Sequence, residues 1–233
     1  MKNKNEIWIY SFKAMVILLL LLNIPIKSIA QESTETVQDI DGNVYTIITI
    51  GKQAWMKENL KTTKYSNGDS IHTTTPATLD ITNEPSPEYQ WAYDGNESNV
   101  EIYGRLYTWY AATDDRNICP TGWHVPTDAD WLKLTTYLVS EYVAGGKLKE
   151  TGISHWKSPN TGATNESGFT ALPGGYRYGN GTFYDIGGTG NWWSSTEVST
   201  NNAWCYTMYN NLRNVNKHYG KKTNDLSIRC VRD

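Results

Sequence analysis

This sequence of 233 residues predicts an α+β chain, with two helices set among mostly antiparallel, strongly twisted sheets. Three observations predict it. A β-branched run, Val44 to Ile50, stands near the start; two stretches, Glu101 to Thr113 and the one opening at Asp128, carry apolar residues at helical spacing; everything after Gly168 is short strands between Gly and Asn turns. Charged residues make up 19% and hydrophobic ones 39%, with Trp 10 and Tyr 16, which excludes a disordered, collagen-like or coiled-coil chain.

Residues 1–30 read as a secretory signal peptide. Lys2, Lys4 and Lys13 precede the apolar run Ala14 to Leu22, Pro25 breaks it, and the small residues Ser28 and Ala30 mark cleavage before Gln31. Membrane attachment is expected only if this segment stays uncleaved, with Trp8, Ile9 and Phe12 lengthening the run. No Cys sits at the junction, which argues against a lipid anchor. Residues 31–36 are polar and without period, a linker, and the domain proper is expected over 37–233. Past residue 30 there remain 17 basic and 23 acidic side chains, a charge of about −6. No basic face is suggested, so a nucleic-acid partner is not expected. The expected location is secreted, periplasmic or at the cell surface.

The turn signal Asp41-Gly42-Asn43 leads into the strand Val44 to Ile50, and Gly51-Lys52 connects it to a second, Gln53 to Asn59. From Tyr65 to Asn99 the chain is polar and turn-rich, with neither period. Ile102, Leu106, Trp109 and Tyr110 make the stripe of the first helix, with Gly104 tolerated inside it. The second is capped by Thr127, holds Asp128 and Asp130 in its first turn, buries Trp131, Leu134 and Leu138, and is expected to stop at Gly145-Gly146. Strands are then expected over Phe169 to Tyr178, Thr182 to Ile186, Trp192 to Glu197, Trp204 to Tyr209, Asn214 to Tyr219 and Leu226 to Val231.

Three Cys allow one bridge and three pairings. In Leu226 to Val231 the alternate residues Ser227 and Arg229 are polar, so Cys230 shares the inward face with Leu226 and Ile228. Around Cys205 the heavier face is Trp204, Tyr206 and Met208, which puts Cys205 on the other side. The pairing expected is Cys119 with Cys230, closing a loop of roughly 110 residues worth about 4 to 5 kcal/mol in the chain-entropy model.

Six blocks resemble the Fibrobacter succinogenes major paralogous domain. They are Gln53-Ala54-Trp55-Met56-Lys57-Glu58-Asn59-Leu60, Tyr103 to Ala112, Cys119-Pro120-Thr121-Gly122-Trp123-His124-Val125-Pro126-Thr127, Gly168-Phe169-Thr170-Ala171-Leu172-Pro173-Gly174-Gly175, Trp192-Trp193-Ser194-Ser195-Thr196 and Ser227-Ile228-Arg229-Cys230-Val231-Arg232. The resemblance covers about 37–233, with the blocks in the family's order. It implies a C-type lectin-like fold, more distantly similar to that of the formylglycine-generating enzyme, and it supports the Cys119–Cys230 bridge. The family brings no established activity. Cys205 departs from the usual pattern, in which a Tyr or another large residue is expected.

For chemistry the sequence offers little. It has no Gly-x-Ser-x-Gly elbow, and His72, His124, His155 and His218 lie apart, without metal-ligand spacing. A glycoside hydrolase would need two of Asp94, Glu97, Asp185 and Glu197 to face each other. A thiol oxidase of the formylglycine-generating type would need two free thiols, such as Cys205 and Cys230. These two enzymes are the alternative reading; the expectation is a non-enzymatic module binding an extracellular glycan or protein. Its candidate ligand-binding rings are Trp156, Tyr176, Tyr178, Tyr184, Trp192 and Trp193, drawn from Gly- and Asn-rich segments; the adjacent Trp192 and Trp193 point to opposite faces if extended, so that one can be core and the other can reach outward. No cofactor is expected beyond calcium, for which Asp185, Asn191 and Glu197 are the candidate ligands. Ser158-Pro159-Asn160 and Asn191-Trp192-Trp193 each lack an acid of the lectin-type calcium site, and Asp39-Ile40-Asp41-Gly42-Asn43 reads as a hairpin turn rather than a calcium loop.

Overall fold

Asp39 accepts the backbone N–H groups of Asp41 (3.0 Å) and Asn43 (2.9 Å), and the turn so made folds β1, Thr36–Gln38, back on β2, Val44–Ile50. The Asp39–Asn43 stretch is thus the expected hairpin turn. The computed structural model describes residues 35–232. The predicted signal over 1–30, and all but the last two residues of the predicted linker, lie outside the described residues. Among those described, no helix is long and apolar enough to cross a membrane.

From β2 the Gly51-Lys52 turn leads into β3, Gln53–Met56, shorter than predicted. Residues 65–99 are irregular as expected, with one short strand, β4, Gln90–Trp91, and two 3-10 turns at Tyr93–Gly95 and Glu97–Asn99.

The predicted helix Glu101–Thr113 is not one helix. It divides into α1, Val100–Tyr103, a strand β5, Leu106–Thr108, and α2, Trp109–Ala112. Gly104 is the cause: it sits at φ 73°, where a Cβ would lie 2.8 Å from the Leu60 carbonyl oxygen, and Arg105 N–H leaves the helical path to bond that oxygen at 2.9 Å. A tertiary hydrogen bond overrides the apolar stripe.

The second helix also divides, into α3, Asp128–Tyr137, and α4, Glu141–Leu148. Its start is as predicted, since Thr127 and Asp130 form a reciprocal capping box. Gly145 and Gly146 do not stop it. They lie inside α4, where a Cβ on Gly145 would come 2.3 Å from the Asn214 carbonyl oxygen; the glycines let the helix lie directly on loop backbone.

Of the predicted strand Phe169–Tyr178 only β6, Tyr176–Arg177, forms, because Thr170 and Gly175 both take positive φ. There follow β7, Phe183–Tyr184; β8, Thr189–Ser199; β9, Asn202–Tyr209; and β10, Asn216–Lys221. The last predicted strand divides into β11, Asp225–Leu226, and β12, Val231–Arg232. The strands form three sheets in the orders β1-β2-β3-β12, β10-β9-β8 and β4-β5-β11-β6-β7, and every strand pair is antiparallel. The chain is therefore α+β and sheet-rich, as predicted.

Two hydrophobic cores hold these sheets, and neighbouring residues on one strand feed different cores. Trp193, Cys205, Met56 and Cys230 enter one; Trp192, Tyr206, Trp55 and Val231 enter the other. The tail is covered on both faces for the same reason. Ser227 and Arg229, expected outward, are buried: Arg229 Nη2 donates to Asn59 Oδ1 at 2.9 Å, and its guanidinium lies 4.0 Å from the Phe169 ring centre. Cys119 and Cys230 form the expected disulfide, and His124 and Val231 exchange two backbone hydrogen bonds of 3.0 Å beside it. Cys205 is the remaining free thiol, buried.

Candidate functional site

The cleft grows out of the β6–β7 hairpin. Arg177 points inward from β6, donating to the Ala77 carbonyl at 3.0 Å and to Asp225 Oδ2 at 2.8 Å, with the Trp91 ring 4.0 Å beneath its guanidinium. Strand alternation then turns Tyr176 and Tyr178 to the opposite face. Their rings stand at 90° with centres 5.0 Å apart; Tyr184 from β7 stacks on Tyr176 at 5.8 Å and 20° and meets Tyr178 edge-on at 5.0 Å. Tyr178 is 39% and Tyr184 43% exposed.

Across from this cluster runs the end of β10, where Tyr219 is 61% exposed, followed by Gly220, Lys221 and Asn224. Two chambers open between the walls and share Tyr178, Tyr219, Gly220 and Asn224. The outer, about 530 Å³, adds Asn180, Tyr184 and Lys221; the inner, about 310 Å³, adds Tyr176, Asp185, Asn191, Cys205, Tyr209 and His218.

Cys205 and His218 face each other across β9 and β10. Asn191 Nδ2 donates to the Gly175 carbonyl and to Thr189 Oγ1, so its Oδ1 accepts the Thr207 hydroxyl at 2.7 Å. Thr207 Oγ1 then accepts from His218 Nε2 at 2.7 Å, which assigns the proton to Nε2 and leaves Nδ1 bare. The sulfur lies 3.4 Å from Nδ1 and 3.6 Å from Nε2, nearly equidistant from the two nitrogens rather than in line with the bare one. Burial pushes the Cys205 thiol up to about 12 and His218 below its ordinary value, so both are neutral. This is not the geometry of an activated nucleophile. With Cys230 in the disulfide, the two thiols of an oxidase are not available among the described residues. The pair escaped the sequence reading because its spacing means nothing until the strand register is known.

Of the predicted rings, Tyr176, Tyr178 and Tyr184 come together at the cleft. Trp156, Trp192 and Trp193 do not: all three are buried, and the indole N–H groups donate to the Ala171 carbonyl (2.9 Å), Asn59 Oδ1 (2.9 Å) and the Tyr107 carbonyl (2.8 Å). The prediction that one of Trp192 and Trp193 reaches outward is wrong because β8 has a core on each face.

The candidate calcium ligands are not assembled either. Asp185 and Asn191 share the inner chamber, but Asp185 pairs with Lys157 at 3.3 Å and the Asn191 amide is spent as described; Glu197 pairs with Lys222 instead. No group of three His, Cys, Asp or Glu suited to a metal ion occurs among the described residues. The four carboxylates weighed for glycoside hydrolysis are likewise dispersed: Glu97 pairs with Arg105, Glu197 with Lys222, Asp94 is exposed, and Asp185 is the one that lines the cleft.

Residues 48–232 match the family model of the Fibrobacter succinogenes major domain. Among curated proteins none matches this sequence.

Proposed function

The chain belongs to the Fibrobacter succinogenes major domain family, and from that premise we propose that it is a non-enzymatic recognition module of C-type lectin-like fold, exported to the periplasm or cell surface, which binds a surface glycan in the tyrosine cleft. The observation that carries the reading is the cluster of Tyr176, Tyr178 and Tyr184 facing Tyr219 across a groove edged with side-chain amides. Flat rings with hydroxyl tips suit the apolar faces of sugars, while amides serve the ring hydroxyls. Export is supported by the leader-like first 30 residues and by a disulfide, which persists in an oxidising compartment. A single lining carboxylate, already paired with Lys157, argues against glycoside hydrolysis, which needs two.

The test is a glycan array with the protein and with Tyr178→Ala and Tyr184→Ala. An aromatic contact contributes about 0.5 to 1.5 kcal/mol, so each variant should bind its glycan roughly 2- to 12-fold more weakly with its melting temperature held. Unchanged binding by both variants sinks the cleft as the site.

A further inference from the structure

We infer that the glycan is acidic and that its anionic substituent, a carboxylate or a sulfate ester, seats in the outer chamber against Lys221; the inference rests on the cleft being a glycan site. It follows from which polar atoms of that chamber are already used. Asn180 Oδ1 accepts the Thr182 N–H at 3.1 Å, and Asn224 Oδ1 accepts the Gly179 N–H at 3.3 Å. Each amide oxygen is thus turned to the backbone, and its NH2 end makes no hydrogen bond among the described residues.

Lys221 is exposed at the chamber wall and has no ion-pair partner among the described residues, unlike Lys157, Lys217 and Lys222, which pair with Asp185, Asp128 and Glu197. It is the one charged side chain lining the outer chamber. The Tyr184 and Tyr219 hydroxyls can rotate to donate or to accept. The result is a pocket in which Asn180, Asn224 and Lys221 offer uncommitted donors, with one unmatched positive charge, while Asn202, its Nδ2 spent on Ser199 Oγ at 3.1 Å, keeps an acceptor. A neutral sugar hydroxyl donates as readily as it accepts and leaves the Lys221 charge unmatched; a carboxylate or sulfate, an acceptor only, matches that charge and the two free NH2 groups together.

The inner chamber has the opposite character. Asp185 lines it and His218 there is neutral, so an anion is disfavoured and a neutral ring is accommodated. Because the chambers share Tyr178 and Tyr219, a ligand filling both has at least two sugar rings, the acidic one outermost. The overall negative charge of the chain does not oppose this strongly, since exposed charges are screened beyond about 8 Å at physiological ionic strength.

The experiment titrates the protein with uronic-acid and sulfated oligosaccharides, each beside its carboxyl-reduced or desulfated counterpart. At least one acidic member should bind tenfold or more tighter than its neutral partner, with affinity falling as salt rises. Lys221→Gln should erase that difference, bringing the acidic member to within about twofold of its neutral partner on the same variant. Equal affinity within every pair, or a preference that survives Lys221→Gln, overturns the inference while leaving the cleft in place provided Tyr178→Ala still weakens binding. No binding by any pair overturns both.

Discussion

Removing the disulfide by Cys119→Ala/Cys230→Ala should cost this domain a large part of its stability. The two residues are 111 apart in sequence. A loop of that length lowers the entropy of the unfolded chain by about 16 cal/mol/K, or about 4.8 kcal/mol at 25 °C. Both side chains are fully buried, so deleting the sulfurs leaves a small void and adds roughly 1 kcal/mol. The total, near 6 kcal/mol, compares with about 5 to 15 kcal/mol for an average domain. Urea unfolding followed by tryptophan fluorescence reads it directly. With a slope of about 2 to 3 kcal/mol/M, the midpoint should fall by roughly 2 to 3 M. Cys205→Ala serves as the control: it removes a buried sulfur but no covalent link, and should move the midpoint by less than a third as much. A shift below about 0.5 M for the double variant would refute the reasoning, because the bridge would then not be restricting the unfolded chain.

Two further outcomes follow from packing and charge. Gly145→Ala should destabilise by about 1 to 3 kcal/mol, because the clash with the Asn214 carbonyl outweighs the roughly 1 kcal/mol by which helix propensity favours Ala; a higher melting temperature would contradict this. For Asp130, burial raises the carboxyl, but hydrogen bonds from the Thr127 hydroxyl and amide and from His124 outweigh it and hold the group below its ordinary value near 3.8. A lowered folded value means stability that is full above the unfolded carboxyl's ordinary value and lost as pH falls from there through the lower folded one. Asp130→Asn should therefore cost about 1 to 2 kcal/mol at pH 7 and flatten the loss of stability below pH 4, measured by urea unfolding across pH; a parallel drop at every pH would show that the cap's charge is not what matters.

What was legible in the sequence was local. The hairpin at Asp39–Asn43, the strand Val44–Ile50 and the Thr127–Asp130 cap each depend on residues within a few positions of one another, and each appears where the pattern put it. Alternation also gave the inward Cys230. It failed one residue away, at Arg229, because the rule that polar residues face water presumes a wet side, and the tail has none. Arg229 finds its acceptor on Asn59, 170 positions earlier, which no local pattern announces. Lys149 is the same case: fully buried, its ammonium donates to the carbonyls of Thr161, Tyr209 and Leu212 at 3.1, 2.9 and 2.7 Å, two partners supplied by loops and one by the end of β9. At the cleft the tyrosines were legible by composition and the tryptophans misread, since only the layering of two cores separates an indole that packs from one that would bind.

That layering also ties the shape of the cleft to stability. The cleft's walls come from two sheets, the tyrosine hairpin from the sheet of β11 and the Tyr219 wall from the sheet of β10. One stretch of chain touches both: Asp225 holds Arg177 beneath the hairpin, and Ser227 exchanges backbone hydrogen bonds with Asn191 and Trp193 of β8 before the tail runs on to Cys230 and β12. The distance between the tyrosine walls is therefore set by the same few residues that the disulfide pins. Surface side chains such as Tyr184, Asn180 and Lys221 can change without disturbing that spacing, whereas Asp225, Ser227 and Arg229 cannot, because each is buried and holds a second element in place. A scaffold of this kind separates what fixes the groove from what lines it, and it places the free choice of residue at the lining, where the proposed ligand would be told from others.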